Sequence, residues 1–200
     1  MSAKVRGRIS VASCVIALAQ TLAFAALAQP PESAGTPRTE RPPSASKTMS
    51  RDLQRTMSPQ AFTEQAAVIG RAEVEIGKVA LANAADPQVK QYAERMVKDH
   101  SAAADKLSRI AAKEGLQVPQ TLDGEHQALK QRLSGLKGPA FDREYSKAMA
   151  SGHDKAVTLF EAASQATAMP DDLKEFAAAT LPTLEQHRDL AHSLHQKEGA

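Results

Sequence analysis

Apolar side chains recur at alternating spacings of four and three along four long stretches of the 200-residue chain, the pattern of a helix that buries one face. The first stretch runs Phe62, Ala66, Ile69, Glu73, Ile76, Ala80 and Asn83. Ser58-Pro59 begins it, because Ser caps free N–H groups and Pro fits the first helical position. Asp86-Pro87 repeats the signal, stopping this helix and starting the next, whose stripe is Val89, Ala93, Met96, His100, Ala103, Leu107 and Ile110, with Gly115 suited to the left-handed turn that ends it. A third stripe starts near Pro139 and carries Phe141, Tyr145, Ala148 or Met149, Gly152, His153, Ala156, Leu159, Phe160 and Ala163. Pro170-Asp171 marks the next boundary, and the fourth stripe is Leu173, Ala177, Thr180, Leu184, His187, Ala191 and Leu194. Pro182 lies inside that last helix, where it removes the bond to the Ala178 carbonyl and predicts a kink about one turn before His187.

Residues 116–138 connect the second and third helices and carry a short helix of their own from Asp123 to Leu133, bounded by Gly135 and Gly138. Val89-Lys90-Gln91-Tyr92-Ala93 returns in altered form as Leu173-Lys174-Glu175-Phe176-Ala177, which suggests two similar halves. Two helical hairpins joined by a connection long enough to span the bundle predict an all-α, ferritin-like four-helix bundle over residues 59–200. Composition agrees. With aromatics at 4% and no Trp, close-packed helices are favoured over a β-sandwich.

The N-terminus reads differently. Lys4, Arg6 and Arg8 precede an apolar run from Val11 to Leu27, and Ala26-Leu27-Ala28 fits a small-x-small cleavage site. Residues 1–28 therefore read as a signal peptide, and the mature chain as periplasmic or secreted from Gln29 onward. The alternative is an uncleaved anchor, but a run of about 17 residues sits at the short limit for a span. After cleavage no stable membrane span is expected. Cleavage also removes Cys14, the sole cysteine, so the mature domain can form no internal disulfide in an oxidising compartment. Residues 29–58, rich in Pro, Ser and Thr, read as a disordered linker. Without Lys4, Arg6 and Arg8 the 25 basic residues fall to 22 against 23 acidic ones, a formal charge of −1. That balance gives no support to nucleic-acid binding, which needs a concentrated basic face. The chain offers no phosphate-binding Gly loop, nucleophile elbow or Cys–His pairing, and the reading is a non-enzymatic protein.

Candidate chemistry lies in polar residues on the apolar stripes. Glu73 stands 13 residues before Asp86 and His100 stands 14 after it, so an antiparallel hairpin brings them level. His153 and His187 each stand 17 residues from Pro170, level in the second hairpin. Glu73, His100, His153 and His187 can thus converge in one layer, either as a closed hydrogen-bonded set or as ligands of one divalent transition-metal ion (zinc, copper, nickel or iron). His153 sits on the flank of its stripe beside Gly152, which also admits surface exposure, and Glu73 could reach water from a stripe edge. Asp99, Asp154 and Glu185 neighbour these histidines and point away from the stripes, as outer partners of ligating groups do. Tyr92-Met96-His100 and Tyr145-Met149-His153 share one spacing. Thioether beside imidazole could suit copper(I), though Met and Tyr more often fill core gaps. His126 reads as exposed, and His192 and His195 as a solvated pair.

The ordered set Ala72-Glu73-Val74-Glu75-Ile76-Gly77-Lys78-Val79-Ala80, Arg95-Met96-Val97-Lys98-Asp99-His100, Phe141-Asp142-Arg143-Glu144-Tyr145, Gly152-His153-Asp154-Lys155-Ala156-Val157 and Leu181-Pro182-Thr183-Leu184-Glu185-Gln186-His187 resembles the bacterial domain of unknown function 4142 family, over roughly residues 59–196. The resemblance implies a ferritin-like bundle in an exported protein; for such a bundle, envelope maintenance or stress survival is the expected context. It implies no particular activity. The chain departs from di-iron carboxylate proteins, which use Glu-x-x-His on two helices. Val97 and Leu184 stand three residues before His100 and His187, and His153 stands where a Glu would be expected. Ferroxidase chemistry lacks its ligands. A single ion with up to three imidazoles and one carboxylate is the natural alternative.

Overall fold

The structure is a computed structural model that describes residues 56–198; residues 1–28, read above as a signal peptide, and residues 29–55, read as linker, lie outside the described residues. Among the described residues the long elements are, in order, α1 (Pro59–Asn83), α2 (Pro87–Glu114), α3 (Gly124–Ser134), α4 (Gly138–Gln165) and α5 (Asp171–Glu198). Among the described residues there is no strand. The caps are those the sequence specifies. Ser58 Oγ accepts from Ala61 N, Asp86 from Gln88 N and Asp123 from His126 N, each satisfying a free N–H at a helix start. Gly115 ends α2 at φ 68°, a left-handed conformation that a Cβ would strain. α5 runs unbroken through Pro182.

Hydrogen bonds define how the helices connect. In the crossover, Gln117 bonds to Gln60 (3.0 Å), Gln120 to Arg71 (3.2 Å), Lys130 to Glu75 (2.7 Å) and the Ser134 carbonyl to Asn83 (3.4 Å). The connection therefore runs beside α1 from its first turn to its last, as its length suggested. It delivers the chain to the α1–α2 turn, where the buried Asp142 carboxylate at the start of α4 accepts from Ala85 N (3.1 Å) and Asp86 N (2.9 Å). Lys197 at the end of α5 reaches the same turn through Asp86 and Gln88. So α4 runs antiparallel to α1, and α5 to α2. The hairpins α1–α2 and α4–α5 dock with α2 facing α5 and α1 facing α4, a four-helix bundle with α3 laid on α1.

Small residues bring α1 and α2 close. A Cβ on Gly77 would lie 2.9 Å from Val97 Cγ2 and 3.3 Å from the Ala93 carbonyl oxygen, a distance that only glycine tolerates.

The core consists of two apolar clusters. One is built around Phe62, Phe160 and Phe176, whose rings meet at 5.2 to 6.4 Å, and includes Met57, just ahead of α1. The other holds Ile76, Met96, Phe141, Tyr145, Met149 and Leu194. Along α1 the change from one cluster to the other falls between Ala67 and Ala72, along α2 between Met96 and Leu107, along α4 between Ala150 and Ala156, and along α5 between Leu184 and Ala191. His100, His153 and His187 stand inside their breaks and Glu73 one residue past the α1 break, beside Ala72; all four are buried. The packing thus leaves one polar layer across an otherwise apolar bundle.

Candidate metal centre

Three helices each send one imidazole into this layer. His100 from α2, His153 from α4 and His187 from α5 have ring centroids 5.4 to 5.7 Å apart. Each offers a nitrogen within 4.8 Å of the other two. Their exposures are 6%, 1% and 1%, so no bulk water reaches His153 or His187.

Neighbouring hydrogen bonds determine where the protons sit. His153 Nδ1 lies 3.0 Å from the Met149 carbonyl oxygen. A carbonyl can only accept, so Nδ1 carries the proton and the lone pair is on Nε2. His187 Nε2 lies 3.0 Å from Asp99 Oδ2. Donation to that carboxylate leaves the lone pair on Nδ1. These two lone-pair nitrogens, together with His100 Nε2, are buried and have no hydrogen-bond partner. Burial holds all three rings in the neutral form. It pushes His153 down to about 4 and His100 well below its ordinary value, while on His187 the Asp99 bond opposes the same effect without cancelling it. Neutral imidazole is the metal-ligating form.

Glu73 joins the layer from α1. Its Oε1 is 4.0 Å from His153 Nδ1, and its Oε2 is buried without a partner. Desolvation raises its pKa to about 8, so it is protonated at neutral pH in the metal-free protein. Tyr92 and Tyr145 close one side. Their rings are 6.1 Å apart, Tyr92 lies 6.4 Å from both His153 and His187, and both hydroxyls are buried without a partner. Burial, and then the nearby Glu73, raises both phenols above their ordinary value.

A buried polar atom without a partner costs about 1–3 kcal/mol, and few native groups are left so. Here six such atoms belong to one layer: Glu73 Oε2, Tyr92 OH, Tyr145 OH, His100 Nε2, His153 Nε2 and His187 Nδ1. A cation bound among the three nitrogens would satisfy half of them at once. One of the imidazoles, His187, also has a carboxylate, Asp99, at its protonated edge, the arrangement that orients ligating histidines and strengthens their basicity.

The layer at a common height is therefore as the spacing predicted. His153 is buried rather than exposed on the flank, because the inner faces of α4 and α5 pack closely enough to enclose it, and Glu73 is buried too, its side chain 8% exposed. The three imidazoles form the set whose ligand atoms meet; Glu73 adjoins that set. Asp99 is an outer partner as expected. Asp154 instead bonds to His192 on the surface (3.1 Å), and Glu185 is exposed. His126 is half-buried against Asp123 (2.7 Å) rather than free. Met96 and Met149 fill the second cluster. Two contributions had no clear signal in the chain. The tyrosine hydroxyls belong to the layer, and the shared spacing of Tyr92 and Tyr145 to the histidines was its only trace. Asp142 caps a turn 56 residues away, a partnership that no local spacing encodes.

The fold and layer define an all-helical bundle with a buried tri-histidine cluster. The family described as Domain of unknown function (DUF4142) matches residues 43–194, and the chain belongs to it. No curated protein and no solved structure matches the chain. Among the described residues, no helix is long and apolar enough to cross a membrane.

Proposed function

We propose that this is an exported, non-enzymatic helical-bundle protein that holds one divalent transition-metal ion, in the service of envelope maintenance or stress survival. His100, His153 and His187 are the ligands. Glu73 becomes a fourth once a cation displaces its proton, since metal binding drives ligands to their deprotonated forms. The observation that carries the reading is the convergence of three buried imidazoles, each with a partnerless ring nitrogen, two of them held by neighbouring bonds with the lone pair on that nitrogen. A structural polar network would be expected to close on itself, each imidazole N–H meeting another ring's lone pair. Here the protons point outward to Met149 and Asp99, and the lone pairs are left inside. An imidazole-rich set suits zinc, copper, nickel or iron. The export reading rests on the signal-like segment at residues 1–28.

The test is elemental analysis of the mature protein purified without a His tag, followed by titration of zinc, copper(II), nickel and cobalt(II) into chelator-treated protein. One equivalent bound by the wild type and lost in His153→Ala supports the reading. Absence of metal, with no stabilisation on titration, removes it.

A further inference from the structure

The three imidazoles are enclosed, so an ion must pass between helices to reach them. Three depressions approach the layer, of which the one beside His100, about 20 Å³, has room for about one water. Of the remaining two, one is a groove of about 780 Å³ between α2 and α5, lined by Arg95, Lys98, Lys106, Glu94 and Asp99. Its one contact with the layer is Asp99, whose Oδ2 is already engaged by the protonated edge of His187. The other is a cleft of about 420 Å³ between α1, α3 and α4, more than ten times the ~30 Å³ that one water occupies in the liquid. Its cations are Arg132 and Lys155, the latter paired with Glu125 at 3.4 Å, and His126 also lines it. At its floor are Glu73, Met149 and Gly152.

Gly152 keeps that floor open. A Cβ built there would meet a single neighbour within 4 Å, Glu73 Oε1 at 3.5 Å. The Glu73 side chain is only 8% exposed, yet it lines the cleft on one side, approaches His153 on the other, and has one oxygen without a partner. A carboxylate in that position can take an ion from the cleft and pass it to nitrogen ligands.

We propose that metal ions reach the tri-histidine cluster through the cleft between α1, α3 and α4, with Glu73 as the ligand that receives them. This rests on the metal-binding reading above. It makes α3 more than a connection, because the short helix forms the outer wall of the route. Ala128 on α3 and Ala179 on α5 are both exposed, one lining the cleft and the other the groove. Tryptophan at either position would fill its depression without entering the core.

The experiment is stopped-flow uptake of cobalt(II) by the chelator-treated full domain, and its removal by excess EDTA, in wild type, Ala128→Trp and Ala179→Trp. Ala128→Trp is expected to slow uptake and removal by the same factor, tenfold or more, with unchanged stoichiometry and affinity, because an obstructed path alters rates and not the end state. Ala179→Trp is expected to match the wild type. Gly152→Val repeats the obstruction from the floor, and folding of each variant is checked by circular dichroism. Equal rates in all proteins, equal slowing by both tryptophans, or slowing by Ala179→Trp alone would each overturn the route while leaving the binding site standing. No cobalt taken up by the wild type would instead overturn the metal-binding reading itself.

Discussion

Replacing His100 by leucine should change the stability of the protein in opposite directions with and without metal. His100 is 6% exposed, and its Nε2 is buried without a hydrogen-bond partner. Around it are Leu107, Phe160, Phe176 and Leu184, which share with it a cavity of about 20 Å³. Leucine brings no polar atom into these surroundings. Removing an unsatisfied buried nitrogen recovers about 1–3 kcal/mol, and imperfect repacking returns up to about 1.5 kcal/mol. The metal-free variant is therefore expected to be more stable by roughly 0.5–2 kcal/mol. With zinc the order reverses. A site filled at 100 times its Kd stabilises the wild type by about 2.7 kcal/mol, and a variant with two imidazoles forfeits most of that. Urea unfolding of both proteins, once in EDTA and once in zinc, measures the four free energies. A variant that is less stable than wild type by more than about 1 kcal/mol in EDTA would show that His100 makes an interaction the geometry lacks. An identical response of the two proteins to zinc would refute its role as a ligand.

Ile76→Ala and Leu107→Ala, at sites 1% and 2% exposed, are each expected to cost about 2–5 kcal/mol in chemical denaturation; losses under about 0.5 kcal/mol at both would contradict the packing. Asp142→Ala removes the acceptor of Ala85 N and Asp86 N and should cost about 3 kcal/mol, since hydrogen bonds to a charged group contribute ~1.5–3 kcal/mol each and Ala85 is partly solvated; Asp142→Asn should recover part of it. In EDTA, stability should peak near pH 6.5. His153 is pushed down to about 4 in the folded protein, so the unfolded chain binds the extra proton between about 6.5 and 4, and stability falls as pH drops through that window by roughly 3 kcal/mol for this residue alone. Glu73 is pushed up to about 8, so the folded protein holds the extra proton above the unfolded value near 4.5, and its contribution falls throughout the rise from 4.5 to 8, by roughly 2 kcal/mol above pH 6.5; below 6.5 it offsets much of the His153 slope, and the acid decline is maintained by His100 and His187, which burial lowers as well. Glu73→Gln should abolish the alkaline decline and keep the acid one; an unchanged alkaline limb in that variant would reject the buried-acid assignment.

Much of this architecture was legible along the chain because its determinants are local. Helix starts at Ser58-Pro59 and Asp86-Pro87 and the stop at Gly115 are capping events among residues within one turn, and each occurs where its residue types place it. The stripes were legible because a helix that buries one face must repeat apolar residues at its own period. Even the common height of Glu73, His100, His153 and His187 follows from counting residues from two turns, once antiparallel hairpins are assumed.

What the chain left open depends on contacts between elements far apart in sequence. Whether His153 faced solvent or the core was decided by how closely α4 packs against α5, and counting along one helix cannot supply that distance. The tautomers of His153 and His187 depend on the Met149 carbonyl and on Asp99, the latter 88 residues from its partner. The support of the α1–α2 turn by Asp142, and the depth of the cleft above Glu73, likewise exist only after the crossover has laid α3 along α1. The sequence by itself determined which residues become helix, which faces are apolar and which polar side chains are carried inward, because propensity, capping and periodicity act within a few residues. Tertiary packing alone decided that three of those side chains each bring a ring nitrogen within 4.8 Å of the others, two of them with the proton turned outward, because enclosure and hydrogen-bond direction depend on four helices meeting in space.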